Sequence, residues 1–290
     1  MNVYNWMGVV LFAGIYLATF LASGDAALLM NSVGLAVVIS GTLGAVFLSY
    51  PVGDLIAALR VARNTYTQNM LTPERVIQIL QELVITSRDK GVLALDDYRE
   101  RTTILFLKRA LQLLVDGFKE EEMHEMLHAE MFHFRHRRAQ QERMFRHAAR
   151  LAPAFGVAGS VIGLIAMLNG IEDPKVVLQT VPIALTSTLY GIVLANFMLT
   201  PVAESIHAKT QRELLLQKLI TDGVVNIRNE PNPLRLATKL ESVLTPSARV
   251  NDSGSIDELR QRIRDLHTEQ EPGQELGQEA EQQPERAPEQ

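Results

Sequence analysis

One short run of residues has the types and spacing of a zinc-binding helix. His124-Glu125-Met126-Leu127-His128 fits the pattern H-E-x-x-H, in which two imidazoles on one helix face bind Zn²⁺ and the glutamate acts as a general base. His133 and His136 are close enough in sequence to offer a third ligand. These residues make a membrane zinc hydrolase using His124, Glu125 and His128 one alternative function.

The residues around this motif favour a different interpretation, a solvated charged helix. A hydrolytic zinc helix is normally buried, whereas this one is surrounded by carboxylates: Glu120, Glu121, Glu122 and Glu130. A short motif without its structural context is only a hypothesis. We therefore predict that the chain holds no metal here and is not an enzyme.

Small and hydroxyl side chains recur at helical spacing in two apolar stretches. The first stretch presents Ala152, Gly156, Ser160 and Gly163 on one face. The second presents Ala184, Thr188, Gly191 and Ala195. Small residues in register let helices approach closely in lipid, so this pattern predicts at least a helix pair.

The hydroxyl groups in these stretches could also serve an ion pathway. Ser160, Ser187 and Thr188 lie near the middle of their stretches, where hydroxyl oxygens can bind a partly dehydrated cation or a water chain. The alternative is that each hydroxyl bonds back to a carbonyl of its own helix. Residues 151–169 and 176–203 contain no Asp, Glu, Lys, Arg or His. If ions move by carboxylate chemistry, a partner helix must supply the carboxylate.

Four apolar blocks dominate the 290-residue chain. Each block lacks Asp, Glu, Lys, Arg and His and has about the 20 residues that a membrane-spanning helix needs; the blocks are residues 4–22, 26–49, 151–169 and 176–203. The first block is predicted to be a retained helix rather than a secretory signal, because no Lys or Arg precedes Arg60 and a second block follows at once. The net charge of −5 gives no indication of nucleic-acid binding.

The distribution of basic residues predicts the orientation in the membrane. The segments 51–70, 131–150 and 204–223 together hold eleven Lys and Arg, whereas the connector 170–175 holds only Lys175. Cytoplasmic segments next to spans are enriched in basic residues. We therefore expect a multi-pass protein of the cell inner membrane with its main domain in the cytoplasm.

The polar segments read as helical. Thr72, Pro73 and Glu74 predict the start of a helix that ends near Lys90, at Gly91. Further helices are predicted over about 96–118, from about 119 into the third span, and after the fourth span as far as a break at 229–233. Ser255 to Glu258 forms a possible capping box for a short helix ending near His267.

The predicted fold is an all-α integral membrane protein with four transmembrane helices. Its large helical cytoplasmic domain lies between spans 2 and 3, and its acidic C-terminal tail is predicted to be disordered, because seven Glu and one Arg follow residue 267 in a Gln- and Pro-rich sequence. The predicted domains are a transmembrane hairpin at 1–50, the cytoplasmic domain at 51–150, a second hairpin and channel region at 151–203, a cytoplasmic helical extension at 204–267 and the tail at 268–290.

The region from Leu151 to Pro201 resembles the MotA/PomA subunits of flagellar stators, in the wider family of TolQ and ExbB. The matching motifs are 151–156 (LAPAFG), Gly159-Ser160, Gly163-Leu164, Glu172-Asp173-Pro174, Ala184-Leu185, 188–191 (TLYG), 194–196 (LAN) and Pro201. TolQ and ExbB relatives typically have three spans. The four-span layout, the long cytoplasmic insert and the segment 90–95 (KGVLAL) therefore favour MotA/PomA over a TolQ/ExbB-like energiser of a non-flagellar system, which stays the alternative.

The resemblance implies a pentamer of this subunit around two copies of a MotB/PomB-type partner. That partner would be a single-span, peptidoglycan-anchored protein whose transmembrane Asp carries H+ or Na+, and no cofactor is implied. The implied ion-pathway and partner-helix face is Pro153, Gly156, Ser160, Gly163, Ala184, Ser187, Thr188, Gly191 and Pro201. Sodium stators tend to have Thr at the position of Ser160, which leaves the ion open.

The resemblance also implies contact with the flagellar rotor protein FliG, in addition to contact with membrane lipid. The implied rotor-facing residues are Arg88, Lys90 and Asp96. Asp96 stands where Glu is usual, which keeps the charge with a shorter reach. The implied function is conversion of ion-motive force into torque that drives motility.

Overall fold

The protein is described here by a computed structural model covering residues 3–22, 31–67, 71–168, 172, 174–229, 235–236 and 239–240. Over these residues its regular structure is helical, as predicted. The helices are α1 (Val3–Ala22), α2 (Ser32–Ser49), α3 (Val52–Thr67), α4 (Pro73–Lys90), α5 (Leu95–Arg101), α6 (Leu105–Val115), α7 (Glu120–Leu168), α8 (Pro174–Val193) and α9 (Thr200–Asn229). A 3₁₀ turn, Val92–Ala94, precedes α5, and a π-helix, Leu194–Leu199, joins α8 to α9. The predicted helix at 255–267 and the tail at 268–290 lie outside the described residues.

Three helical stretches are long and apolar enough to cross a membrane. They are Ser32–Ser49, Glu120–Leu168 and Thr180–Ile227. The 20-residue α1 agrees with the predicted first span to within a residue and carries no charged side chain. These helices support a membrane protein, while the four-span layout stays a prediction.

The described helices belong to two compact units. The first contains α1 to α3, α7 from Ala129 onward, α8, the π-helix and α9 as far as Leu214. The second contains α4 to α6, the start of α7 up to His128, and α9 from Leu215. The predicted domain boundaries are drawn on membrane topology and are not tested by this division.

Helix α4 forms as its sequence predicts. The Thr72 hydroxyl accepts a hydrogen bond from the Arg75 N–H at 3.4 Å, and Pro73 occupies the first turn, where its missing N–H is not needed. The apolar positions that recur at helical spacing are all buried: Val76, Ile79, Leu80, Leu83 and Val84. Gly91 ends the helix with φ of 80°, a conformation that favours glycine.

The prediction of one continuous helix over about 96–118 is wrong. The segment is divided into α5 and α6 at Thr102, which is extended with φ −73° and ψ 136°. The Thr102 hydroxyl accepts a hydrogen bond from the Ile104 N–H at 3.4 Å. Threonine hydroxyls offer the backbone this local alternative to helical bonding. The predicted continuous helix from about 119 into the third span is confirmed as α7.

Candidate functional site

Helices α7 and α8 are in close contact along their small residues. A Cβ atom added at a glycine here would meet the facing helix at Gly191 (2.5 Å from the Ala152 carbonyl oxygen), Gly156 (3.0 Å from the Ser187 carbonyl oxygen) and Gly163 (3.0 Å from the Ala184 Cβ). Real Cβ atoms essentially never approach closer than 3.0 Å. The two small-residue faces identified in the sequence therefore lie against each other within one chain.

A pair of hydroxyls lies in this contact. The Ser160 hydroxyl donates to the Ala184 carbonyl oxygen at 2.6 Å, and its oxygen lies 2.8 Å from the Thr188 hydroxyl oxygen. A hydroxyl has only one hydrogen, so Thr188 must donate to Ser160 while Ser160 donates to Ala184. The Ser160 hydroxyl thus bonds across to α8 rather than back to its own helix. Thr188 is only half-buried, and its oxygen keeps lone pairs for a water or a cation.

Ser187 has different surroundings from Ser160 and Thr188. Its oxygen accepts a hydrogen bond at 3.3 Å from the side-chain amide of Asn31, which precedes α2. The Asn31 backbone N–H donates to the Tyr190 hydroxyl at 2.9 Å, and its side-chain oxygen caps α2 through the Gly34 N–H at 2.9 Å. Asn31 is therefore a buried polar residue that ties α2 to α8.

Asn31 was not singled out in the sequence. A signal was available, since an asparagine just before an apolar run is a common N-cap. The cap was missed because Asn31 lies inside the continuous apolar block at 26–49, whereas α2 begins only at Ser32.

The two prolines of the site lie in different backbone settings. Pro153 lies inside α7, half-buried, and a Cβ at Gly191 would lie 3.0 Å from its Cα. Pro201 is exposed and follows the π-helix, in which the Thr200 N–H donates to the Ala195 carbonyl five residues back. A proline ring clashes with the carbonyl four residues before it, so a widened turn just before Pro201 is physically reasonable. Such π-turns are frequent at functional sites.

A charged cluster joins α7 to α9 in the same unit. The Glu142 carboxylate lies 2.8 Å from Arg146 and 2.9 Å from His207, and Arg146 lies 2.9 Å from Glu204. Burial raises the pKa of the Glu142 carboxyl, but the hydrogen bonds from Arg146 and His207 outweigh it and hold that pKa below its ordinary value. The spacing of Glu142 and Arg146 was visible in the sequence, whereas their partners on α9 were not.

The H-E-x-x-H motif lies on a largely solvated part of α7. Met123 and Leu127 provide its buried contacts, while Glu125 and His128 are exposed. The His124 and His128 rings are 5.8 Å apart between centroids. No group of three His, Cys, Asp or Glu side chains that could hold a metal occurs within the described residues. This arrangement favours the solvated charged helix over the zinc site.

The predicted rotor-facing residues lie at the end of α4 and the start of α5. Arg88 and Lys90 are exposed on the last turn of α4. Asp96 forms an ion pair with Arg99 at 2.9 Å. Between them, the Leu93 side chain is 75% exposed, a large apolar group that the sequence did not single out for contact.

Comparison with known proteins identifies the family. The sequence model of the MotA/TolQ/ExbB proton channel family matches residues 100–218. Motility protein A of Borreliella burgdorferi is 36% identical over 66% of this chain and 74% of its own length. Chemotaxis protein PomA of Vibrio alginolyticus is 29% identical over 82% of this chain and 93% of its own.

A solved structure agrees with these sequence relatives. The flagellar MotAB stator complex from Bacillus subtilis contains a chain with 26% identity and a TM-score of 0.79, covering 85% of this chain and 98% of that one. The predicted identity, drawn from the motifs at 151–201, is thereby confirmed. The chain belongs to the MotA/TolQ/ExbB proton channel family and, within it, to the MotA/PomA subunits of flagellar stators, which are ion-channel proteins and not enzymes.

Proposed function

We propose that this subunit and a MotB/PomB-type partner form an inner-membrane ion channel that generates torque on the flagellar rotor. The observation that carries the proposal is the Thr188–Ser160 hydroxyl pair, set in a helix pair whose apolar stretches, 151–169 and 176–203, contain no Asp, Glu, Lys, Arg or His. Hydroxyl oxygens can line a path for an ion, but they cannot bind and release a proton near neutral pH. We therefore expect a partner helix to supply the carboxylate that binds the ion within the membrane.

The partner's transmembrane Asp is the proposed titrating group. An unpaired charge in hydrocarbon is costly, so the charged and neutral forms of this Asp would prefer different surroundings. The Thr188 hydrogen is donated to Ser160, so its partly exposed oxygen can accept a hydrogen bond from the protonated carboxyl or contact a bound Na+. Binding of H+ or Na+ would then shift the equilibrium between two positions of the partner helix. Alternation between these positions would rotate a pentamer of this subunit around two partner copies.

The proposed topology has four spans, with residues 51–150 and 204–267 in the cytoplasm. Support comes from the eleven basic residues that flank the spans on that side. Arg88, Lys90 and Asp96 would then face FliG. Asp96 forms an ion pair with Arg99, and its side chain is shorter than the usual Glu.

Ion flux in proteoliposomes tests the proposal. We expect vesicles holding this subunit alone to show no ion flux above empty vesicles, and vesicles holding the subunit with its partner to conduct. Replacing Na+ by K+ at a fixed membrane potential then identifies the ion, because a proton channel continues to conduct and a sodium channel stops. Strong flux from the subunit alone would contradict the requirement for a partner carboxylate.

A further inference from the structure

A cavity of about 170 Å³ lies in the unit that contains α2, α3 and the second part of α7, and every residue lining it is apolar. Its floor consists of buried side chains: Val46 on α2, Ala58 on α3, and Met144 and Ala148 on α7. An apolar cavity of about 150 Å³ in another protein stays dry and takes up benzene. This cavity is therefore suited to a short length of hydrocarbon rather than to water.

The rim of the cavity is open to the outside. Leu43, Phe47 and Leu59 line it and are each at least half exposed. The position of the cavity relative to the membrane surface follows from α2, which ends at Ser49. The next residue, Tyr50, packs its ring against His147 at 5.7 Å between centroids, and tyrosines are enriched at membrane interfaces. With α2 placed across the membrane as proposed, the cavity opens toward lipid at the cytoplasmic end of the span.

Helix α3 has the features of a helix that lies at a membrane surface. Val52 and Ile56 are more than half exposed, while Arg60 and Arg63 are exposed one and two turns further along. Neither guanidinium has an acidic partner among the described residues. An exposed apolar face followed by arginines suits the boundary between acyl chains and anionic headgroups.

We propose that the cavity binds one acyl chain of an anionic phospholipid from the cytoplasmic leaflet, whose phosphate is held by Arg60 and Arg63. The size of the cavity favours a lipid over a second copy of this chain, because it accepts only a few methylene groups and not a helix face. The inference rests on the proposed membrane placement of α2 but not on ion conduction. A lipid bound there would fill the gap between α2, α3 and α7.

Lipid retention by the full chain, purified with its partner, tests the inference. The complex is reconstituted in nanodiscs of phosphatidylglycerol or of phosphatidylcholine with the same acyl chains, extracted, washed, and analysed for retained lipid by mass spectrometry. We expect about a 25-fold preference for phosphatidylglycerol, since each of the two arginines near an anionic headgroup contributes about a fivefold gain. Ala58→Trp should lower retention of both lipids several-fold by filling the cavity.

Two further variants make the result decisive. Leu48→Trp is the matched control, because Leu48 is exposed on the last turn of α2 and does not line the cavity; its retention should equal that of the wild type. Arg60→Gln combined with Arg63→Gln should remove the preference for phosphatidylglycerol without touching the core, which decides the matter if Ala58→Trp does not fold. Lipid retention equal to that of the wild type in both test variants would overturn the site. A test variant whose oligomer mass changes while its retained lipid does not would also overturn it. Ion flux measured on the same complexes separates this failure from failure of the proposed function.

Discussion

At the scale of single residues, the candidate ion path depends on one hydroxyl more than on the others. Ser160 is buried and its hydrogen is committed to the Ala184 carbonyl. Ser187 is buried beside Asn31. Thr188 alone of the three is half-buried rather than buried, so it is the hydroxyl best placed to meet a partner helix, a water or an ion.

Substitution of Thr188 tests this difference. We expect Thr188→Ala to slow swimming severalfold, because it removes the donor to Ser160 and the oxygen offered to the ion. Thr188→Ser keeps the hydroxyl and should be much milder. The measurement is swimming speed alongside membrane levels of the protein. Normal speed in Thr188→Ala cells would remove this hydroxyl from the path.

At the scale of the helix, features with local causes were predictable from the sequence. The start of α4 at Thr72 and its end at Gly91 follow from capping chemistry within a few residues. The close approach of α7 and α8 was predictable from the spacing of glycines such as Gly156 and Gly191. Both the helix caps and the glycine spacing can be read from residue types and their positions in the sequence.

Features that need a distant partner were not predictable. The bond from Asn31 to Ser187 joins residues 156 positions apart, and nothing in either residue's neighbourhood specifies the other. The division between α5 and α6 depends on which of two bonding choices Thr102 makes. The placement of Arg146 between Glu142 and Glu204 likewise requires α7 and α9 to be packed together.

The Glu142 cluster predicts how the α7–α9 contact responds to pH. Because the folded-state pKa of Glu142 is depressed, its contribution to stability is present above the unfolded-state pKa and is lost as pH falls through the lower folded-state pKa. The contribution is about 1 kcal/mol or less, as the cluster is partly solvated. We expect Glu142→Gln to lower the melting temperature by about 2 °C at pH 7 and to match the wild type in strong acid.

Thermal unfolding of the purified full chain in detergent at several pH values measures this effect. Glu130→Gln is the control, since Glu130 is an exposed acid on the same helix and should leave the melting temperature unchanged at every pH. A Glu142→Gln deficit that stays the same down to strong acid would contradict the assignment of the effect to the ionised carboxylate.

At the scale of the whole molecule, the proposed ion path and the proposed rotor contact belong to different compact units. The hydroxyl pair lies on α7 and α8 in one unit, while Arg88, Lys90 and Asp96 lie in the other. Helices α7 and α9 contribute residues to both units. Because the two sets of residues belong to different units, we expect substitutions at the proposed rotor contact to leave the α7–α8 contact intact.

Reversal of the charge at Arg88 tests that separation. Exposed charges align two surfaces through screened attraction, and replacing attraction by repulsion at one position changes an interface by about 1–2 kcal/mol. We therefore expect Arg88→Glu to weaken rotor engagement about tenfold, seen as poor swimming, while membrane levels and ion flux with the partner stay at wild-type values.

Two comparisons decide the outcome for Arg88. Arg109→Glu makes the same charge change at an exposed position of α6 in the same unit and should leave swimming intact. A charge reversal on the acidic residue of the rotor that faces Arg88 should partly restore swimming in Arg88→Glu cells, because the attraction returns with opposite signs. High salt should reduce both the defect and the rescue in motors studied outside the cell. If Arg88→Glu cells swim normally at low and at high load, the last turn of α4 does not face the rotor, and the contact must lie elsewhere on the subunit.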